Sequence, residues 1–410
     1  LVSNLFDMIT LFKQNRIRKY YYLFFLPFYL IFGFLRVCKI LPKKYILFGA
    51  GGGSQFIDNS KYAYLINKDR DNCIWITHSY HLSKELKNNG FRSYLSFGIP
   101  GIYFQLFSQL AVVSHGTFDL IPIFLFKVPV LQYWHGCPIK KIGLDIEDKK
   151  NKKSLGDIIW IGIYKICPHL NNYYSDYLVD HSKSMNYQAS FKFSNPSYIK
   201  IPYPRLIPLY HEQLQFEEPN EQLTELTRQK SNGKKIIVYM PTYRDGLDGQ
   251  LKLEEQLINL SNIFAKDDRF IFVYKSHFVI NKGISDNNIV IYSNRDPYPL
   301  LKLSCGLITD YSSIVFDYLP SKKPITMFVF DKDIYKRMPG YYYDIENNFS
   351  SIISYDYMEA FEKIKNEVFS NKNYDTEKGM IFNNLFSNTF YKGGTFNISI
   401  IKQKFIDGHA

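Results

Sequence analysis

Four stretches of this 410-residue chain gather residue types suited to phosphate chemistry. In Gln132-Tyr133-Trp134-His135-Gly136-Cys137-Pro138-Ile139-Lys140-Lys141 an apolar run leads into His-Gly and then a proline-led basic turn. An imidazole titrates near neutrality and can take a proton from a hydroxyl nucleophile, while Lys140 and Lys141 can meet a phosphate. A lone histidine at a strand end is equally compatible with a structural role. Tyr239-Met240-Pro241-Thr242-Tyr243-Arg244-Asp245 presents a guanidinium, a planar fork for phosphate oxygens or for a carboxylate such as Asp245. Tyr274-Lys275-Ser276-His277 ends another strand, and Lys275 or His277 can donate to a pyrophosphate.

The fourth stretch, Leu307-Ile308-Thr309-Asp310-Tyr311-Ser312-Ser313-Ile314-Val315-Phe316-Asp317, reads as a buried strand, a turn of small hydroxyl residues and an apolar helix. Free backbone N–H groups and two hydroxyls at a helix start make an anion site, with phosphate the natural occupant. Capping by Asp310 or Ser312 accounts for the same residues. Gly49-Ala50-Gly51-Gly52-Gly53-Ser54 also follows a strand, but it is a poor dinucleotide fingerprint. Its sixth position is Ser54, and the next strand ends at Thr77-His78 without the carboxylate that would hold a ribose. It reads as a turn or as a loop lining a cleft.

Short apolar runs must position these loops: 45–49, 73–77, 93–96, 111–114 and 129–134, then 236–240, 270–276, 289–293, 305–309 and 325–330. Their continuous apolar character fits parallel strands buried on both faces, with helices between them. The fold class is therefore α/β, with two doubly wound, Rossmann-like domains facing a cleft at the carboxyl ends of their strands. The expected organisation is an N-terminal segment over 1–42, a first domain over 43–210, a linker over 211–232, a second domain over 233–385 and a helical C-terminal segment over 386–410.

Composition narrows the function. With 46% hydrophobic and 21% charged residues the chain is globular, and 50 Lys+Arg against 38 Asp+Glu give it +12, favouring anionic partners. Five widely spaced cysteines, with no C-x-x-C pair, fit neither a disulfide framework nor a zinc site and imply a reducing compartment. Residues 20–35 hold sixteen positions without a charge, flanked by Arg16, Arg18, Lys19, Arg36, Lys39, Lys43 and Lys44. As helix they reach about 24 Å, short of a ~30 Å hydrocarbon core. An in-plane anchor on an anionic membrane face is the preferred reading; a buried first helix and a bent spanning helix are the alternatives.

In order and spacing these motifs resemble the CDP-glycerol:glycerophosphotransferases that build teichoic acids and related capsular polymers. The family's Trp-His-Gly-x-Pro-Leu-Lys falls on 134–140, its Tyr-x-Pro-Thr-(Trp/Tyr)-Arg on 239–244 and its Ile-Thr-Asp-Tyr-Ser-Ser-x-x-Phe-Asp on 308–317; Pro204-Arg205 adds a further match. The resemblance implies a GT-B-like architecture on the cytoplasmic membrane face, with the donor on the second domain and the acceptor on the first. By analogy His135 acts as general base, an acceptor hydroxyl attacks the β-phosphorus of CDP-glycerol, and CMP leaves. His277 is the second catalytic candidate; Gly136, Lys140, Thr242, Arg244, Lys275, Asp310, Ser312, Ser313 and Asp317 are the substrate-binding set.

No cofactor and no protein-bound metal are expected, since Asp331-Lys-Asp333 and Asp69-Arg-Asp71 are weak metal motifs. The expected partners are CDP-glycerol or a related CDP-polyol, a lipid-linked glycan or polyol-phosphate acceptor and an anionic membrane surface, without nucleic acid. The chain departs from the family pattern at His277-Phe278, at Ile201-Pro202-Tyr203-Pro204-Arg205-Leu206 and at Pro339-Gly340. These departures leave CDP-ribitol open as donor. A nonenzymatic scaffold of polymer assembly is the reading from another functional class.

Overall fold

The computed structural model describes residues 24, 26–145, 155–183, 190–191, 194–210, 220–244, 247–275, 288–332, 340–370 and 375–386. Two parallel sheets organise them. The first has seven strands in the order β3-β2-β1-β4-β5-β6-β7: β1 Tyr45–Gly49, β2 Cys73–Thr77, β3 Ser93–Leu95, β4 Ser108–Val113, β5 Val130–Gln132, β6 Tyr177–Val179 and β7 Ser197–Ile199. The second has six, in the order β10-β9-β8-β11-β12-β13: β8 Lys235–Met240, β9 Phe270–Tyr274, β10 Val290–Ile291, β11 Gly306–Thr309, β12 Ile325–Phe328 and β13 Ile353–Ser354.

Every residue of β1, β2 and β4 is buried, as the unbroken apolar runs require of strands covered on both faces. In each sheet the order reverses between its first and fourth strands (β1/β4 and β8/β11), and that reversal opens a crevice at the carboxyl ends. Register fixes which loops meet there. Gly49 pairs with Val113 and Val113 with Gln132, so the turns after β1, β4 and β5 lie side by side. Met240 pairs with Thr309, which sets the Pro241-Thr242 loop beside Asp310.

Strands β6, β7 and β13 were not expected from the sequence. They are two or three residues long, too short for a periodic signal, and β7 is largely exposed at the sheet edge. Near the C-terminus a helix runs over Asp375–Leu385, and Phe386 makes an isolated antiparallel bridge to Ser182 of the first sheet's unit. Beyond Phe386, the helical segment expected over 386–410 lies outside the described residues.

Ahead of the first sheet, helix α1 (Leu26–Val37) is packed on one face, as a first helix of the fold, and open on the other. One face packs inward. Tyr29 and Arg36 are buried, the Arg36 guanidinium donates to the carbonyls of Ser108 (2.8 Å), Gln105 (2.8 Å) and Phe124 (3.2 Å), and Gly33 lies so close to the Phe126 ring that a Cβ would meet it at 2.3 Å. The other face leaves Phe28, Leu30, Ile31, Phe34 and Val37 exposed. A second helix, α2 (Leu155–Ile166), buries Trp160 in the same apolar cluster as Tyr29 and exposes Ile158, Ile159 and Ile166. No described helix is long and apolar enough to cross a membrane.

Candidate active site

The two units meet around a cavity of about 330 Å³ lined from both sides. From the first come Asp58, His115, His135 and Arg205; from the second Lys275, Arg295, Tyr298, Ser312, Ser313 and Asp317.

His135 reaches this cavity through a strained turn. Trp134, just past β5, has φ +56°, a left-handed conformation unfavourable for a bulky side chain, and Gly136 follows at φ +125°. The turn is held by Asn59, whose amide donates to the Trp134 carbonyl (3.2 Å), and by Trp134 stacking on Tyr173. Gly136 is required for a second reason. A Cβ there would come within 2.9 Å of both Arg205 Nη2 and Ser313 Oγ, so glycine lets the two units close on each other. His135 itself is exposed to the cavity and stacks on His115, with ring centroids 4.9 Å apart and planes 8° from parallel.

Arg205 joins the halves. It is 1% exposed, donates to Asp58 Oδ1 of the first unit at 3.1 Å and to Asp317 Oδ1 of the second at 2.9 Å, and Tyr298 donates to the other Asp317 oxygen at 2.8 Å. Burial alone would disfavour its charge, but Asp317, Tyr298 and Asp58 together hold its pKa above the usual guanidinium value. A second buried bond across the seam has Lys61 and Tyr62 both donating to Asp296 Oδ2, at 2.8 and 2.7 Å. Lys275 faces the cavity as a cation whose pKa burial pulls down, with Asp296 opposing.

The structure thus brings His135, Lys275, Ser312, Ser313 and Asp317 to one cavity and sets Gly136 on its wall. Other expected ligands sit elsewhere. Arg244 is 2% exposed and ion-paired to Asp310 Oδ2 (2.8 Å) and Asp331 Oδ2 (2.6 Å), while also donating to the Thr242 carbonyl (2.7 Å). Asp310 in turn accepts from the Thr242 amide and hydroxyl. Arg244, Asp310 and Asp331 therefore form a buried network outside the cavity lining, joined by half-buried Thr242 through its amide and hydroxyl. Asp317 is likewise committed to Arg205 and Tyr298. Lys140 bridges to Tyr341 along the seam outside the cavity lining. The helix after Ser312-Ser313 has only five residues, Ile314–Tyr318, so hydroxyls rather than a long helix dipole face the cavity. His277 lies outside the described residues.

Sequence reasoning passed over His115 and Arg295. A signal for the first existed: Ser114-His115-Gly116 and Trp134-His135-Gly136 put His-Gly pairs at the ends of two neighbouring strands.

A family model described as CDP-Glycerol:Poly(glycerophosphate) glycerophosphotransferase matches residues 31–394. The chain belongs to this family. Among its relatives, this transferase is 25% identical to a teichoic acid poly(glycerol phosphate) polymerase of Bacillus spizizenii over 84% of this chain and 88% of the other. To a teichoic acid glycerol-phosphate transferase of Staphylococcus aureus it is 28% identical over 76% and 80%. Its fold matches the wall teichoic acid polymerase TagF with a TM-score of 0.71, at 20% identity over 98% of each chain. That likeness makes the architecture GT-B-like.

Proposed function

We propose that the chain transfers glycerol phosphate from CDP-glycerol to a hydroxyl of a lipid-linked saccharide or polyol-phosphate acceptor in teichoic acid or capsular polymer synthesis. The observation that carries this reading is the composition of the cavity, with an imidazole from the first unit opposite cations and hydroxyls from the second. Lys275, Arg295, Ser312 and Ser313 take the donor's diphosphate, with His277 as a further ligand by the family pattern. His135 removes the acceptor's proton as its oxygen attacks the β-phosphorus. The P–O bond to CMP breaks, and the cations neutralise the charge gathering on the leaving group. The first unit, over 43–210, offers the acceptor; the second, over 233–385, holds the donor.

The exposed apolar faces of α1 and α2 seat the enzyme peripherally on the anionic cytoplasmic face of the membrane, which brings a lipid-linked acceptor to the cleft. The experiment is CMP release by the purified chain, offered CDP-glycerol or CDP-ribitol with a lipid-linked disaccharide or a short polyol-phosphate acceptor. Acceptor-dependent CMP from CDP-glycerol is expected. Release from CDP-ribitol alone would move the donor to ribitol, and no release from either by folded protein would favour a scaffold.

A further inference from the structure

The glycine turn after β1 binds no phosphate in this arrangement; its N–H groups are aimed at protein. Gly51 N–H donates to His115 Nδ1 at 3.1 Å and Gly52 N–H to Asp119 Oδ1 at 2.8 Å. The turn exists because Gly51, Gly52 and Gly53 all take positive φ, +60°, +63° and +78°. Asp119, buried at the end of the neighbouring loop, also accepts from the amides of Ser114 (3.0 Å) and His115 (2.7 Å), so the backbone that carries His115 is pinned on both sides.

These contacts decide the state of the His115 ring. An amide donor on Nδ1 requires a lone pair there, which places the proton of the neutral ring on Nε2, and that atom lies 3.9 Å from Asp58 Oδ2. The same contact fixes the orientation of the ring against the turn. Its flat face then lies parallel to His135 at 4.9 Å. On its other neighbour His135 meets Trp134, ring centroids 4.3 Å apart.

We propose that His115 is a positioning residue for His135. It is an aromatic platform, locked by the glycine turn, that holds the His135 ring in its working orientation and favours its protonated form once the acceptor's proton has moved. A cation over an aromatic face is attracted by the ring quadrupole. The proposal rests on the reading of His135 as general base. Among the described residues, the other charged groups around the two rings are Asp58, Asp119, Arg205, Lys275, Arg295 and Asp317, all left in place by the substitutions below.

Two variants separate the platform from the hydrogen bond. His115→Asn keeps an acceptor for Gly51 but has no ring; His115→Phe keeps a ring but offers no acceptor. In CMP release from CDP-glycerol, His115→Asn is expected to lower kcat about 10–100-fold, to leave KM for the donor within threefold, and to move the acidic limb of the kcat/KM pH profile about half a pH unit lower. His115→Phe is expected to recover kcat to within fivefold of the parent, with the limb restored. The reverse order, with Asn near parental and Phe impaired, would assign His115 a structural hydrogen bond and overturn the proposal, as would an unmoved limb in His115→Asn. His135→Ala distinguishes the two levels. Parental turnover in that variant removes the general base and the platform together, whereas an inactive His135→Ala beside a fully active His115→Asn removes only the platform.

Discussion

Arg205 Nη2 donates to Asp317 Oδ1 at 2.9 Å, across the boundary between the unit that carries His135 and the unit that carries Lys275. Both side chains are about 2% exposed, so this bond ties the halves together directly beneath the cavity. Replacing Arg205 by Met would leave Asp58 and Asp317 facing each other without their cation. Removing one partner of a buried ion pair typically costs about 3–5 kcal/mol. Urea denaturation of Arg205→Met is expected to show a loss in that range; a loss below about 1 kcal/mol would contradict the role assigned to the bond.

Arg244 offers a sharper contrast between reading a motif and reading its surroundings. In the sequence it is a fork for phosphate oxygens or for a nearby carboxylate, and in the structure it is ion-paired to Asp310 and Asp331. Arg244→Lys keeps the charge but cannot satisfy both carboxylates at once. The expected outcome is about 1–3 kcal/mol less stability with KM for CDP-glycerol within twofold of the parent below the melting transition. A tenfold rise in KM at unchanged stability would return Arg244 to the donor site.

The proposed membrane contact can be tested at exposed positions on α1 and α2. Phe34 is 66% exposed and Ile159 56% exposed, on two helices that share a buried apolar cluster. Full burial of such a side chain is worth about 1.5–3 kcal/mol. The double change Phe34→Glu with Ile159→Glu is therefore expected to reduce binding to phosphatidylglycerol vesicles at least tenfold in a sedimentation assay, without lowering Tm. Unchanged binding would place the membrane contact elsewhere.

Two buried histidines set an acid limit on the fold. Burial pulls the pKa of His169 down to about 3 and that of His181 down to about 4, from an ordinary value of 6.5. The unfolded chain therefore binds more protons than the native one between about pH 6.5 and these values. The stability is fully present above about pH 6.5 and is lost as pH falls through that window, at about 1.4 kcal/mol per pH unit for each histidine. Denaturation midpoints measured from pH 7 to pH 4 are expected to fall accordingly, with a shallower slope in His169→Phe; an equal slope would remove His169 from the account.

How much of this was written in the chain depends on the range over which each feature is determined. The long buried strands declared themselves as apolar runs, and the strand-end loops with them, because an apolar run that breaks into basic, imidazole or small hydroxyl residues is a local pattern. His135, Lys275, Ser312 and Ser313 were found for that reason. The partners of Arg244 were not legible, since Asp310 and Asp331 lie 66 and 87 residues away and adjacent Asp245 was the local alternative. The stack of His115 on His135 was hidden similarly, for it depends on β4 lying beside β5. The sequence analysis assigned no role to Ile158, Ile159 and Ile166, because only the fold shows that this side of α2 is left uncovered.

The central claim is that His135 acts as the base for an acceptor hydroxyl in the cavity between the two units. The measurement that addresses it most directly is single-turnover CMP release by the parent and by His135→Ala, with donor affinity for each measured by calorimetry. The account requires a rate about 10²–10⁴-fold lower in the variant at a CDP-glycerol affinity within threefold of the parent. An undiminished rate in folded, donor-binding His135→Ala would contradict it.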